Sequence, residues 1–409
     1  MIDRDITPYL KELVSQFSVV TLLGPRQSGK TTLARTLFPD YAYVNLELPK
    51  SRRLAATDPE LFFKNYPVPV IIDEVQHVPE LLSYIQVFVD EHKQRGQFIL
   101  TGSHQPKLRA SISQSLAGRT AVLTLLPLSI SELTRAGISC ERDEYIFSGF
   151  LPRIFDENLP PERVHEAYYK TYVERDVRQL INVSNQSAFE TFIKLLAGRV
   201  GQIVKLQNMA GDVGVSATTL ASWLSVLEAS FIIFRLPCYY NNFGKRLIKA
   251  QKIFFTDVGL AAHLLGIESP SQVSRDPLIG GLFENLVVLE ALKTRYNMGK
   301  PADLYYFRDK NGIEVDLILD RGRKLHLFEI KSAMTPDASM AKHLSKMKSI
   351  VPQTLSTAVI YAGSPFPGNK DYSFVNFKET GNLIRKGSAP LEGGPGAKGT
   401  PGRSSQTAE

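Results

Sequence analysis

The stretch Gly24-Pro25-Arg26-Gln27-Ser28-Gly29-Lys30-Thr31-Thr32 has the residue types and spacing to hold phosphate. It fits G-x-x-x-x-G-K-[ST], in which loop backbone N–H groups and a helix start face one point and cradle phosphate oxygens. All nine residues are candidate nucleotide contacts. Lys30 is suited to reach the β- and γ-phosphates and Thr31 to ligate Mg²⁺, so ATP and Mg²⁺ are the expected ligands. Downstream, the apolar run Val68-Pro69-Val70-Ile71-Ile72 ends in Asp73 and Glu74. The first carboxylate is suited to hold Mg²⁺, directly or through water, and the second to polarise an attacking water as general base. Ser103, after Thr101-Gly102, is a candidate γ-phosphate sensor, with a simple strand-ending turn as the alternative. Arg119, at the end of Ser115-Leu116-Ala117-Gly118-Arg119, is suited to stabilise transition-state charge across a subunit boundary of a homo-oligomer, or to pair with a local carboxylate.

A second constellation lies near the C-terminus. Gly312 to Leu319 alternates as a strand, and Leu325 to Lys331 reads as its hairpin partner. With Arg321 and Gly322 as a two-residue loop, Asp320 pairs with Arg323 and Asp316 stands opposite Leu327, so that Asp316, Glu329 and Lys331 share a face. This is the Asp…Glu-x-Lys constellation of the PD-(D/E)xK nuclease fold, with Glu284, from the helix opened by Gly281, as a further acid. Asp316, Glu329 and Glu284 are candidate metal ligands, and Lys331 a candidate to orient a water. A hairpin with a solvated polar face is the alternative, and cleavage is a separate claim from fold.

The elements that must position these residues are legible as apolar periods. Val19 to Leu23, Tyr43 to Leu46, the run before Asp73, Gln97 to Leu100 and Ala121 to Leu126 read as strands. In open α/β sheets the strand ends carry the ligand site. Ile6, Leu10, Leu13 and Phe17 mark one face of a lead-in helix that packs on this sheet. Residues from 130 to 195 read as helices; their Arg153, Arg175 and Arg178 are able to reach a nucleotide if these helices cover it, with a solvent-facing charged surface as the alternative. Leu206 to Val213 and Ala217 to Ala229, with Ser216 as N-cap, followed by Phe231 to Phe234, form a winged helix-turn-helix pattern. Lys245, Arg246, Lys249 and Lys252 would supply its phosphate contacts. The second helix carries no Lys or Arg, and a protein-interaction role is the alternative.

The chain of 409 residues suggests two or three domains at roughly 150 residues each. A net charge of +7 favours an acidic partner such as DNA. Cys140 and Cys238 provide neither a disulfide framework nor a metal cluster. No apolar run approaches the ~18 residues of a membrane span, and Met1-Ile2-Asp3-Arg4-Asp5 lacks a signal peptide's features. A cytoplasmic protein with no membrane partner is expected.

Gly24 to Thr32, Ile72 to Gln76, Leu100 to Ser103, Ser115 to Arg119 and Leu126-Pro127-Leu128-Ser129 resemble successive motifs of a prokaryotic family described as AAA-type predicted ATPases with a C-terminal domain of unknown function. The resemblance continues through Tyr172 to Val177, Lys245 to Lys249 and Phe255 to Leu260, spanning most of residues 4–378. It implies ATP binding and ATP hydrolysis, without a physiological role. The expected fold is α/β: a P-loop AAA-type core at 1–135, a helical lid at 136–198, a winged-helix-like module at 199–265, a C-terminal α/β PD-(D/E)xK nuclease-like domain at 270–378 and a flexible tail at 379–409. The expected function is an ATP-driven switch or motor on nucleic acid. The alternative is a regulatory ATPase whose C-terminal domain is a catalytically inactive module that binds a protein partner.

Overall fold

The computed structural model describes residues 1–103, 112, 114–177, 186–239, 251–309, 312–322, 324–350, 353–367 and 371–388. Val19–Gly24 (β1) is a run of aliphatic and β-branched residues, all buried, as suits a strand covered on both faces. It joins Ala42–Asn45 (β2), Val70–Asp73 (β3), Phe98–Ser103 (β4) and Thr120–Thr124 (β5) in a parallel sheet of order β2-β3-β4-β1-β5. Because the strands are parallel, their C-terminal ends share one edge. Gly24 is level with Ser103, and Asn45 with Asp73. β4 separates β1 from β3, which puts Thr101 and Ser103 between the phosphate loop and Asp73.

Ile6, Leu10 and Leu13, spaced as one helix face, cover one side of this sheet beside Leu33 and Ala34 of the Lys30–Leu37 helix. Leu81, Leu82, Ile85 and Val89 of the Leu81–His92 helix cover the other, with Phe62. Each buried Leu, Ile, Val or Phe side chain among these contributes roughly 1.5–3 kcal/mol.

After β5, Ser129 opens the Ile130–Arg135 helix with a capping box: its Oγ accepts from Glu132 N (3.2 Å), and Glu132 Oε2 accepts from Ser129 N (2.8 Å). Further helices follow at Arg142–Ser148, Pro152–Asp156, Pro161–Tyr168 and Gln186–Ala197. Leu206–Val213 and Ala217–Ala229 are separated by Gly214, whose φ of +76° ends the first helix, and by Ser216, whose Oγ accepts from Thr219 N (3.1 Å). Ile233–Pro237 (β6) and Gln251–Phe255 (β7) then pair antiparallel. Lys245, Arg246, Lys249 and Arg178 lie outside the described residues, as does the Arg175 side chain.

The C-terminal sheet has the order β12-β11-β10-β9-β8, from Leu304–Arg308 (β8), Glu314–Arg321 (β9), Lys324–Lys331 (β10), Thr354–Tyr361 (β11) and Ser373–Asn376 (β12). β8, β9 and β10 run antiparallel, and β10, β11 and β12 parallel. The register of the β9–β10 hairpin corrects the expectation. Arg321 pairs with Lys324 and Leu317 with Phe328, so the turn falls one residue later, starting at Gly322 (φ +59°). One step beyond the last pair, Asp316 faces Glu329 rather than Leu327. The shift adds one residue on each side, so the shared face of Asp316, Glu329 and Lys331 is unchanged.

The Ile279–Asn297 helix is buried on nearly all sides, including Glu290, Lys293 and Arg295. It bridges the C-terminal sheet and the segment after β5. One continuous apolar core runs from Leu126 through the helices and the β6–β7 hairpin to Ile384. Packing therefore shows no seam at 198 or at 265–270. Residues 380–388 do not belong to the flexible tail expected from 379, because Thr380–Ser388 is a helix whose Thr380 and Ile384 are buried. Residues 389–409 lie outside the described residues.

Candidate functional site

At the C-terminal edge of the first sheet, the loop after β1 turns on two glycines. A Cβ on Gly24 would stand 2.1 Å from Leu125 O, and Gly29 adopts φ +89° as N-cap of the Lys30–Leu37 helix. Lys30 is buried, and its Nζ donates to Gly24 O (3.1 Å) and Pro25 O (2.8 Å). Burial pulls its pKa down, while Glu74 and Asp73 push it up. Gln27 Oε1 and Ser28 Oγ are buried in the loop without a hydrogen-bond partner among the described residues. Arg26 pairs with Glu47 (3.2 Å) and stands over the Tyr172 ring. A cleft of about 260 Å³ opens here between Arg26, Lys30, Thr31, Glu74 and Tyr172.

The structure brings Thr31, Asp73, Glu74 and Ser103 to this same lip. Thr31 Oγ1 donates toward Asp73 Oδ1 and Oδ2 at 2.8 and 2.9 Å. Asp73 also accepts from Thr101 Oγ1, and from Tyr43 OH at 3.0 Å. Burial and Asp73 together push the Tyr43 phenol pKa up, so it stays a donor. Glu74 has φ +56° and ψ +47°, a left-handed conformation rare outside glycine, which turns its side chain away from the strand direction. Its Oε2 accepts from Gln76 Nε2 and from Ser103 Oγ (3.3 Å), and Gln76 Nε2 also donates to Ser103 Oγ (3.0 Å). Thr101 and Gln76 were not singled out in the sequence, although their places beside Ser103 and Glu74 were the available signal.

Arg119 is not brought to this edge. It precedes β5 at the level of Val19, the opposite end of the strands, and its Nε and Nη2 donate to Asp90 at 2.6 and 2.8 Å. Arg153 faces a second cleft of about 370 Å³, lined also by Ile2, Leu33, Leu128 and Pro152, that adjoins the loop at Gln27 and Gly29. Its guanidinium pairs with Glu157 at 2.9 Å.

Arg4 is a participant that no local motif announces. It is buried and donates to Ser28 O (2.8 Å), Leu126 O (2.6 Å) and Glu132 Oε1 (3.0 Å). Ile130 N in turn donates to Glu290 Oε1 (2.9 Å), and Lys293 Nζ to Leu128 O (2.7 Å). The loop is thus tied to the Ile279–Asn297 helix by buried polar contacts.

That helix also carries Glu284 into a cleft of about 720 Å³ shared with Asp316, Glu329 and Lys331. Asp316 Oδ2 accepts from Ile330 N (2.9 Å) and Lys331 Nζ (3.4 Å), and Lys331 Nζ bonds Glu329 Oε1 (2.7 Å). Burial pushes the Glu284 carboxyl up to about 8 and raises that of Glu329. Two residues absent from the expected set complete the cluster. Glu314 is on the Asp316 face by strand period, and Lys252 comes from β7. Lys252 corrects the expectation that it contacts phosphate. It is buried, with Nζ 2.8 Å from Glu284 Oε1 and from Glu314 Oε1 and 3.9 Å from Asp316 Oδ1. An ammonium thus stands between Glu284 and Glu314 and near Asp316, while Glu329 is paired with Lys331. Among the described residues, the three-ligand group closing to within 4.8 Å is Glu47, Glu74 and His77, at the phosphate loop. No helix of the described residues is long and apolar enough to cross a membrane.

Comparison with known proteins agrees with the sheet and loop. Residues 16–134 match the model of an AAA domain, residues 141–271 a domain of unknown function (DUF8612) and residues 279–378 another (DUF4143). Uncharacterised proteins of Mycobacterium tuberculosis and Mycobacterium bovis are each 31% identical over 365 residues, covering 88% of this chain and 80% of the relative. One of Haemophilus influenzae is 25% identical over 338 residues, covering 73% and 80%. Among solved structures, a Walker-type ATPase of Pyrococcus abyssi aligns at TM-score 0.44 and 15% identity, over 64% of this chain and 96% of that one. AMPPCP-bound DnaA from Aquifex aeolicus aligns at TM-score 0.29 and 16% identity, over 55% and 85%. With its phosphate loop and parallel sheet inside the matched AAA domain at residues 16–134, the chain carries a nucleotide-binding AAA domain and belongs to the family of these mycobacterial proteins.

Proposed function

We propose that this protein hydrolyses ATP with Mg²⁺ and uses the cycle as a switch on nucleic acid. The observation that carries the hydrolytic reading is the meeting of Thr31 and Asp73, 2.8 Å apart, at the lip of the loop with Glu74 beside them. In this reading the loop from Gly24 to Thr32 holds the phosphates, and Lys30 neutralises the β- and γ-oxygens. The orphaned Ser28 Oγ and Gln27 Oε1 are polar groups in want of a partner, as a ligand-binding loop requires. Thr31 and Asp73 would hold Mg²⁺, which when bound supplies charge neutralisation for the transferred phosphoryl group. Glu74 takes the proton of the attacking water, and Ser103, bonded to that carboxylate, orients it. The apolar cleft at Ile2, Leu128 and Pro152 accommodates the base. Arg119 serves only across a subunit boundary, because within one chain it sits at the far edge of the sheet. Glu74→Gln tests the assignment: the variant should keep nucleotide and lose turnover, and turnover at the wild-type rate refutes the base.

The nucleic-acid part rests on the +7 charge and on the helix pair followed by a hairpin. A second reading, a regulatory ATPase whose C-terminal domain binds a protein and is catalytically inactive, is favoured by Lys252 within the acidic cluster. ATP turnover with and without single- and double-stranded DNA separates them. Stimulation by DNA supports the first, and unchanged turnover the second.

A further inference from the structure

Glu284, Glu314, Asp316 and Glu329 enter one cleft from a helix and two strands, a convergence of carboxylates that ordinarily holds a divalent cation. The space among three of them is taken by a side chain from another part of the fold. Lys252 Nζ stands 2.8 Å from both Glu284 Oε1 and Glu314 Oε1 and 3.9 Å from Asp316 Oδ1, and its side chain is 5% exposed. An ammonium has three donors. Two are within hydrogen-bond distance of the glutamates, and the remaining side of the group is bounded by Asp316 and by the Tyr306 ring, 5.3 Å away. A divalent ion would need carboxylate oxygens drawn in to ~2.0–2.6 Å around itself. Here the oxygens are spaced for N–H···O contact instead.

Lys252 is also held in place from its backbone. It pairs with Leu236 across the hairpin and bridges to Ile203. The next residue's carbonyl, Ile253 O, accepts from Gly201 N (2.8 Å). Asn285, adjacent to Glu284, grips the same strand at both polar groups of Phe255, accepting from its N (2.7 Å) and donating to its O (2.9 Å). Gly201 lies so close behind that a Cβ there would be 3.0 Å from Glu284 Oε2. The strand carrying the lysine and the helix carrying the glutamate are thus fastened together on either side of the ion pair.

We infer that Lys252 is the resident cation of this cleft: it occupies the position among Glu284, Glu314 and Asp316 that a divalent ion would need, and the cleft takes its ligands without such an ion. The inference concerns the C-terminal cleft alone and holds whether or not the protein acts on nucleic acid. It sets the cleft apart from the phosphate loop, where Thr31 and Asp73 have no lysine between them.

The test is Mn²⁺ uptake by nucleotide-free full-length protein, followed by electron paramagnetic resonance of the free ion. Wild type and Asp316→Asn should take up the same number of ions. Lys252→Met should take up one more than wild type, and the Lys252→Met/Asp316→Asn double variant should lose it. An ion bound by wild type and lost in Asp316→Asn overturns the inference. A folded Lys252→Met protein that gains no ion overturns it as well, because the lysine would then not be standing in an ion's place. Removing Lys252 leaves three acids without their counter-charge, so Lys252→Met/Glu314→Gln, with one acid fewer, is the second form to examine, its fold checked by circular dichroism. The comparison of wild type with Asp316→Asn decides by itself if neither lysine variant folds.

Discussion

Lys30 and Glu74 stand on the same lip yet should fail differently when replaced. Lys30 contacts ground-state phosphate in the proposed chemistry, so Lys30→Ala should weaken nucleotide affinity itself, read by equilibrium titration. Glu74 acts as turnover begins, so Glu74→Gln should bind ATP normally and lose roughly 10²–10⁴-fold in rate, read by single-turnover phosphate release. Residues of this kind were legible because their chemistry is contiguous: nine positions of loop, then two adjacent acids ending one strand. Arg4 and Lys252 were not legible. Arg4 meets Glu132 from 128 positions away and Lys252 meets Glu284 from 32. A cation is a surface residue until something shows it the buried carboxylate that makes burial tolerable.

The Ile279–Asn297 helix is the element on which both sites lean. Within it, Glu290 is buried, and burial pushes its carboxyl up to about 7, against the opposing pull of Lys293. The folded state therefore holds this proton more tightly than the unfolded chain. Its stabilising contribution is fully present below the ordinary glutamate pKa and is lost as pH rises through about 7. Glu290→Gln, which keeps an acceptor for Ile130 N, should remove that slope, so that its stability relative to wild type rises between pH 5 and pH 8. Denaturant unfolding at pH 5 and pH 8 checks it; equal slopes in the two proteins would contradict the burial argument. The helix was expected from Gly281 to about Leu292, and it runs on to Asn297 because Lys293, Thr294 and Arg295 are buried and donate to Leu128 O, Glu290 O and Pro301 O rather than marking a solvated end. The hairpin teaches the complementary point. Period-two alternation set which residues share a face, whereas the pairing depended on which residue turns, and Gly322 and Arg323 were as plausible a pair as Arg321 and Gly322.

At the scale of the molecule, the five parallel strands were recoverable from apolar runs, since a strand buried on both faces has little else it can be made of. The packing boundaries were not recoverable, because one apolar core joins the helices, the β6–β7 hairpin and the back of the C-terminal sheet. Composition changes along a chain do not reveal that its segments share an interior. If nucleic acid is the partner, binding through six to ten phosphates should fall roughly 10³–10⁵-fold between 50 and 200 mM salt, measured by fluorescence anisotropy; a flat response would remove the electrostatic footprint from the reading. The Arg4 clamp also has a consequence for how the protein is made. Its phosphate loop emerges from the ribosome early, but the contact from Ile130 to Glu290 spans 160 positions. At roughly 5–20 residues per second, about 8 to 32 s separate the synthesis of those two partners. The nascent nucleotide site must therefore wait, half-braced, for a helix whose codons have yet to be read.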